Sequence, residues 1–251
     1  MASVNSTLIY KGWLETRWRF IAGLTLLAAI CIYTVLQAKN IIHDRERFRP
    51  GEPILYAQYI WIVLYKGYLQ VLWILSAVIL GLGGLWREKS FGVASFSLGF
   101  PISRRRLVLM RAAVGAAEAA VLAVVPCLLI WVLSNSFDNP YPFKDAVLHS
   151  ILYFGGGIIF YGLALLLSHL MSGEFSVPTL ALGLCLVLYI AFQVLGLKIY
   201  NPFDLMSGKY YLNPNTFLLS GDLPWLPLSF LLMISILAVV ASVKIAESRD
   251  F

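Results

Sequence analysis

The sequence predicts an all-α integral membrane protein with six membrane-spanning helices, forming one domain over residues 1–251. Three observations carry that prediction. Apolar residues make up 60% of the 251 positions and charged ones only 13%. The apolar residues gather into runs long enough to cross about 30 Å of hydrocarbon. The basic residues collect mostly at the ends of those runs. Such a composition excludes an ordinary soluble domain. The net charge of +6 is assigned to lipid phosphates and topology rather than to nucleic acid, because of where the basic residues stand.

Residues 1–17 are too polar to span. Leu8, Ile9, Trp13, Leu14 and Trp18 alternate with Lys11, Glu15, Arg17 and Arg19 at helical spacing, which predicts an amphipathic elbow helix lying on the inner surface. Span one follows at 20–36, uncharged and just long enough to cross. The connection 39–53 is placed outside, although Lys39, Arg45, Arg47 and Arg49 run against the charge rule there.

Span two falls within 56–85, with Tyr56, Tyr59, Trp61, Tyr65, Tyr68 and Trp73 weighted toward its outer half, where aromatic rings suit the membrane interface. Lys66 sits among these rings and either snorkels outward or serves a polar cavity. A basic segment comes next. Between Arg87 and Arg111 lie six of the nineteen Lys and Arg residues and a single acid, Glu88, so this side faces inward. Phe91 to Phe100 has the apolar edge and small polar residues of a short helix lying flat at the surface; Pro101 ends it and Ser103 can cap the next helix.

Span three, 107–133, contains Arg111, Glu118 and Pro126, with a face of small alanines suited to close packing. Glu118 falls near mid-membrane, where a carboxyl must be paired, neutralised or wetted. It is either a cavity contact for a cationic or amphipathic substrate or a hydrogen-bonded packing residue. Beyond a short outer loop at 135–144, span four covers 146–170, and Gly155-Gly156-Gly157 near its centre either admits a neighbouring backbone or loosens the helix. A tight inner turn at 172–176 leads to span five, 177–197. Residues 198–224 are too apolar for a free loop and are predicted to dip back into the outer leaflet as short helices shielded by protein. Span six, 226–243, precedes a short tail. Six spans place both termini inside, with eleven Lys and Arg on that side and eight on the other.

The sequence offers no catalytic or metal-binding constellation. Cys31, Cys127 and Cys185 lie singly in apolar runs, and His149 and His169 stand at opposite ends of span four. No G-x-x-x-x-G-K-[ST] loop occurs, so the chain has no phosphate cradle and no route of that kind to ATP hydrolysis.

The amphipathic start, the six spans, the R-E-K-x-x-G run followed by P-I-S-R between spans two and three, the apolar stretch before span six and the Arg249-Asp250 ending together resemble the ABC-2 family of ABC transporter permeases. The resemblance covers nearly the whole chain. It implies that residues 87–104 form a coupling segment touching a separate ATP-binding cassette ATPase, with Glu88, Gly92, Pro101, Ser103 and Arg104 in the motif positions and Phe91 and Phe96 on the coupling helix. Arg104, Arg105 and Arg106 then contact either the acidic surface of the ATPase or phosphates of the inner leaflet. It further implies a second permease chain, as a homodimer or heterodimer, ATP and Mg held by the ATPase and none by this chain, and residence in a bacterial cytoplasmic (inner) membrane. Export of a hydrophobic or amphipathic substrate is the function expected. A membrane anchor that transmits ATP-driven motion to an external partner is the alternative, followed by an intramembrane enzyme.

Overall fold

A computed structural model describes residues 2–48, 54–82, 103–137, 139–171, 176–195 and 200–248. Among these residues the chain is helical, with no strand beyond an isolated bridge between Leu212 and Leu219. Five helices are long and apolar enough to cross a membrane, the make-up of a multi-pass membrane protein, and a shorter apolar helix spans Ser176–Phe192.

Helix α1, Ala2–Phe48, is one uninterrupted element of 47 residues. The elbow helix predicted at 1–17 is therefore continuous with span one, and the charged stretch from Lys39 to Phe48 extends the same helix rather than forming a loop. No proline interrupts the run, and Glu15 and Thr16 find partners at Arg111 and Glu118, far along the chain. Phe20, Leu27, Cys31, Val35 and Ala38 recur on one face and are buried, whereas Trp18, Tyr33 and Leu36 on other faces are exposed.

Span two is built from three pieces: α2 (Tyr56–Ile60), a π-helical segment (Trp61–Tyr68) and α3 (Leu69–Gly81). Gly67, at φ −104° and ψ −116°, has non-helical dihedrals within the π segment. Helix α3 runs antiparallel to α1. The Tyr59 hydroxyl donates to the Thr34 carbonyl at 3.2 Å, and Arg19 caps the far end by donating to the carbonyls of Ile79 and Leu82.

Helix α4 is Arg104–Ser136 and lies parallel to α1. Gly12 of α1 faces Val114, Glu15 pairs with Arg111, and Thr16 reaches Glu118. Ser103 stands at the N-cap position of α4, but its side chain makes no capping bond; its carbonyl accepts from the amides of Arg106 and Leu107. Helix α5, Phe143–Leu170, is the most enclosed element. It runs parallel to α3, with Trp73 pressed against Gly157 and Ala164 against Gly81. It runs antiparallel to α4, where the Tyr161 hydroxyl donates to the Ala112 carbonyl at 3.2 Å.

Helix α6, Ser176–Leu195, buries Val177 and Ala181 and leaves Leu182, Leu186 and Ile190 exposed. The short helix α7, Pro202–Ser207, and the final helix α8, Trp225–Ser248, complete the chain. Helix α8 lies parallel to α5: Leu228 meets Gly155 and Ser235 meets Gly162, where the Ser235 hydroxyl donates to the Ile158 carbonyl at 3.1 Å.

Candidate functional site

Helix α7 carries its own start and stop signals. The Asn201 side chain accepts from the Phe203 amide at 3.1 Å, Pro202 occupies the first turn, and Gly208, at φ 66°, closes the helix in the left-handed region. Its place is beside the middle of α5. Phe203 packs on Phe160 with ring centroids 5.1 Å apart, and Leu205 and Met206 rest on Gly156. Two side chains from span two hold its backbone. Gln70 Nε2 donates to the Phe203 carbonyl at 2.5 Å, and Trp61 Nε1 donates to the Ser207 carbonyl at 2.7 Å.

Beyond Gly208 the chain turns back along α5 toward its first turn. The Ser220 amide donates to the Tyr211 carbonyl at 2.9 Å, and the Leu219 amide donates to Asp145 Oδ1 at 2.7 Å. Asp145 also accepts from the Tyr141 hydroxyl and lies 3.1 Å from His149 Nδ1, so one buried carboxylate fastens three pieces of chain. Burial first, and then the Asp145 carboxylate, hold the Tyr141 phenol well above its ordinary pKa. His149 Nε2 is buried without a hydrogen-bond partner.

Between α3, α6 and α7 opens a cleft of about 580 Å³. Lys66, Gln70, Val71, Ile74 and Leu75 line it from span two, Leu182, Leu186 and Tyr189 from α6, and Asp204, Ser207 and Lys209 from α7 and the turn that follows it. Asp204 accepts from Asn201 Nδ2 at 3.1 Å and from the Tyr210 hydroxyl at 3.2 Å, and its other oxygen lies 3.5 Å from Lys209 Nζ. Burial lowers the Lys209 pKa, but the Asp204 carboxylate and the Tyr210 phenol together more than offset it and hold the ammonium above its ordinary value. Lys66 Nζ stands 5.4 Å from the centroid of the Trp61 ring. The arrangement can hold a molecule with one polar end and one apolar end.

A second cavity, of about 490 Å³, lies between α4, α5 and α8. Its walls include Val124, Leu128, Phe154, Trp225 and Leu228, with Ser150 and Ser229 the hydroxyls among its lining. It offers shape and apolar contact but no charge.

The residues singled out from the sequence separate in space. Lys66 lines the α3/α6/α7 cleft. Glu118 lines neither cavity: its Oε1 accepts from the Thr16 hydroxyl at 2.5 Å in the packed seam between α1 and α4, and its Oε2 is buried without a partner. Arg104 and Arg105 open α4, with Arg105 exposed. Glu88, Phe91, Gly92, Phe96 and Pro101 lie outside the described residues. Among the described residues, no group of three or more His, Cys, Asp and Glu side chains is placed to hold a metal.

Gln70, Asp204, Lys209 and Asp145 were not anticipated as site residues. The sequence does carry a signal for α7: Asn201-Pro202 followed by Gly208 is a capped helix in miniature. Nothing comparable announces Gln70, whose part depends on a carbonyl far along the chain. No protein-family model matches this chain, and no curated protein matches it.

Proposed function

We propose that this chain is the permease subunit of an ABC-type exporter, moving an amphipathic substrate through the α3/α6/α7 cleft under the action of a separate ATPase. The observation that carries this reading is the cleft itself. Two lysines, an aspartate and a glutamine contribute to its lining, between helices whose exposed large side chains are mostly apolar. Charged groups among membrane-spanning helices are costly and mark pathways for polar substrate groups. The chain has no phosphate-cradling loop, so ATP and Mg belong to the partner ATPase. The segment 87–104 joins α3 to α4, and a push on it reaches one cleft-lining helix directly.

A six-crossing topology fits this reading. Helices α5 and α8 run in the same direction, so the chain between them has to return across the bundle once, and α6, at about 30 Å, is long enough to do so. The stretch 200–224 then acts as a re-entrant segment, reaching the middle of α5 at Gly156 and returning to Asp145. Lys11, Arg19, Arg104, Arg105, Arg106, Arg111 and Lys244 gather at the end of the bundle that holds the start of α1, which suits a cytoplasmic face in a bacterial inner membrane with both termini inside.

Purification of the tagged full chain from the cell that makes it tests the reading. An ATPase should accompany it, Arg105→Glu should weaken that association, and reconstituted complexes should hydrolyse ATP faster with substrate present. Labelling that puts Arg105 on the outer face, or purified chains that never carry an ATPase, would overturn it.

A further inference from the structure

We propose that the α3/α6/α7 cleft binds an anionic membrane phospholipid, with its phosphate between Lys66 and Lys209 and an acyl chain along the apolar wall. This deepens the permease reading by naming the substrate class of the same cleft, and it rests on that reading only for transport, not for binding.

Charge selects the headgroup. Of the three charged side chains lining the cleft, the carboxylate is already committed: Asp204 is 9% exposed and is engaged by Asn201, Tyr210 and Lys209. Among the neutral polar groups, Gln70 Nε2 is committed to the Phe203 carbonyl and the Ser207 hydroxyl to the Asp204 carbonyl, while the exposed Tyr189 hydroxyl adds a neutral donor to the lining. The two ammonium groups remain. Lys66 is exposed and makes no ion pair among the described residues; it lies over the Trp61 ring, so it can swing to a phosphate without stranding a buried carboxylate. The Lys209 side chain is 37% exposed while resting against Asp204, which leaves ammonium donors open to the cleft. The three charges sum to +1, so a cationic ligand would meet a net positive lining whose one carboxylate is already paired.

Apolar contact selects the rest of the molecule. Val71 is 63% exposed and Leu186 61%, and with Ile74, Leu75 and Leu182 they give the cleft its apolar lining, on α3 beyond Lys66 and on α6. Roughly 13 Å of helix separates Lys66 from Leu75, room for a stretch of alkyl chain. The cleft volume of about 580 Å³ suits a headgroup with part of a chain rather than a whole lipid, and the remainder can lie beyond α6 among other lipids. A phospholipid can approach over α6, because Leu182 and Leu186 line the cleft and are at the same time exposed, which makes the cleft continuous with the apolar surface.

The full chain, purified in dodecyl maltoside, is titrated with dioleoyl-phosphatidylglycerol or dioleoyl-phosphatidylcholine, and bound lipid is counted by native mass spectrometry. The expected result is about thirtyfold tighter binding of the anionic lipid, lost in the Lys66→Gln, Lys209→Gln double variant, as two cation contacts imply. Leu186→Trp, which fills the apolar wall, should weaken both lipids. Equal affinity for the two lipids overturns the proposal, as does a folded double variant that keeps the preference. So does a native dimer that takes up neither lipid until Leu186→Trp separates it, which would assign the cleft to a second copy of the chain. If the double variant does not fold, Lys66→Gln alone decides, since that side chain has no ion pair to lose. No ATPase enters this assay. Failure to find an ATPase partner removes the permease reading and leaves lipid binding intact, whereas loss of lipid preference with ATPase association intact removes only the lipid.

Discussion

His149 lies flat on Tyr65, ring centroids 3.7 Å apart and planes inclined by 13°. The stack sits one turn beyond Asp145, whose carboxylate joins the first turn of α5, the Tyr141 loop and the Leu219 amide. Asp145→Ala would leave that amide and a phenol without their buried acceptor, while His149 Nδ1 keeps the Asp145 backbone carbonyl at 3.0 Å. The expected loss is about 3 kcal/mol, read as a lower midpoint in thermal unfolding of the detergent-solubilised chain. Faster proteolysis between Gly208 and Gly221 should accompany it. Asp145→Asn retains an oxygen for Leu219 and should cost less.

Gly157 and Gly183 form a matched test of packing. A Cβ on Gly157 would stand 2.2 Å from Trp73 Cζ3, whereas a Cβ on Gly183 would meet nothing within 4 Å. Gly157→Ala should therefore lower the unfolding midpoint sharply, because the indole is buried and has nowhere to retreat. Gly183→Ala should be neutral or stabilising by about 0.5–1 kcal/mol through helix propensity.

Glu118 and Thr16 make a second pair. Glu118→Gln keeps a side-chain oxygen to accept from Thr16 and should leave both stability and any ATPase stimulation close to the parent. Thr16→Val removes the donor from a buried carboxyl and should cost about 1–3 kcal/mol. A large loss of activity in folded Glu118→Gln would return that residue to the substrate path.

The lipid preference should not vary across the neutral pH range. Lys209 has a folded pKa above its ordinary 10.5, so the stabilisation from its pairing with Asp204 is fully present below that value and fades as pH rises through the folded one. Phosphatidylglycerol binding measured from about pH 6 to 9 should stay level. A titration centred near neutrality would point to a different group in the cleft.

Much of the bundle was legible because apolar runs at 107–133, 146–170 and 226–243 have one reading in lipid, and α4, α5 and α8 contain them. The N-terminal boundary was not. The polar alternation of Lys11, Glu15 and Arg17 resembles a surface helix, but Glu15 is used up on Arg111 and Thr16 on Glu118, contacts between residues about a hundred positions apart that no local pattern encodes. Lys66 was legible as an anomaly, a charge among aromatic rings. Its role in a cleft was not, because the opposite walls come from α6 and α7, and the floor depends on Gln70 meeting the Phe203 carbonyl.

Helix α1 has one more consequence. Forty-seven helical residues measure roughly 70 Å, more than twice the hydrocarbon thickness. Such a rod either leans steeply or stands clear of the lipid, and its Asp44-to-Phe48 end then becomes a mast whose tip swings widely when its base, fastened by Glu15 to Arg111, tilts by a few degrees.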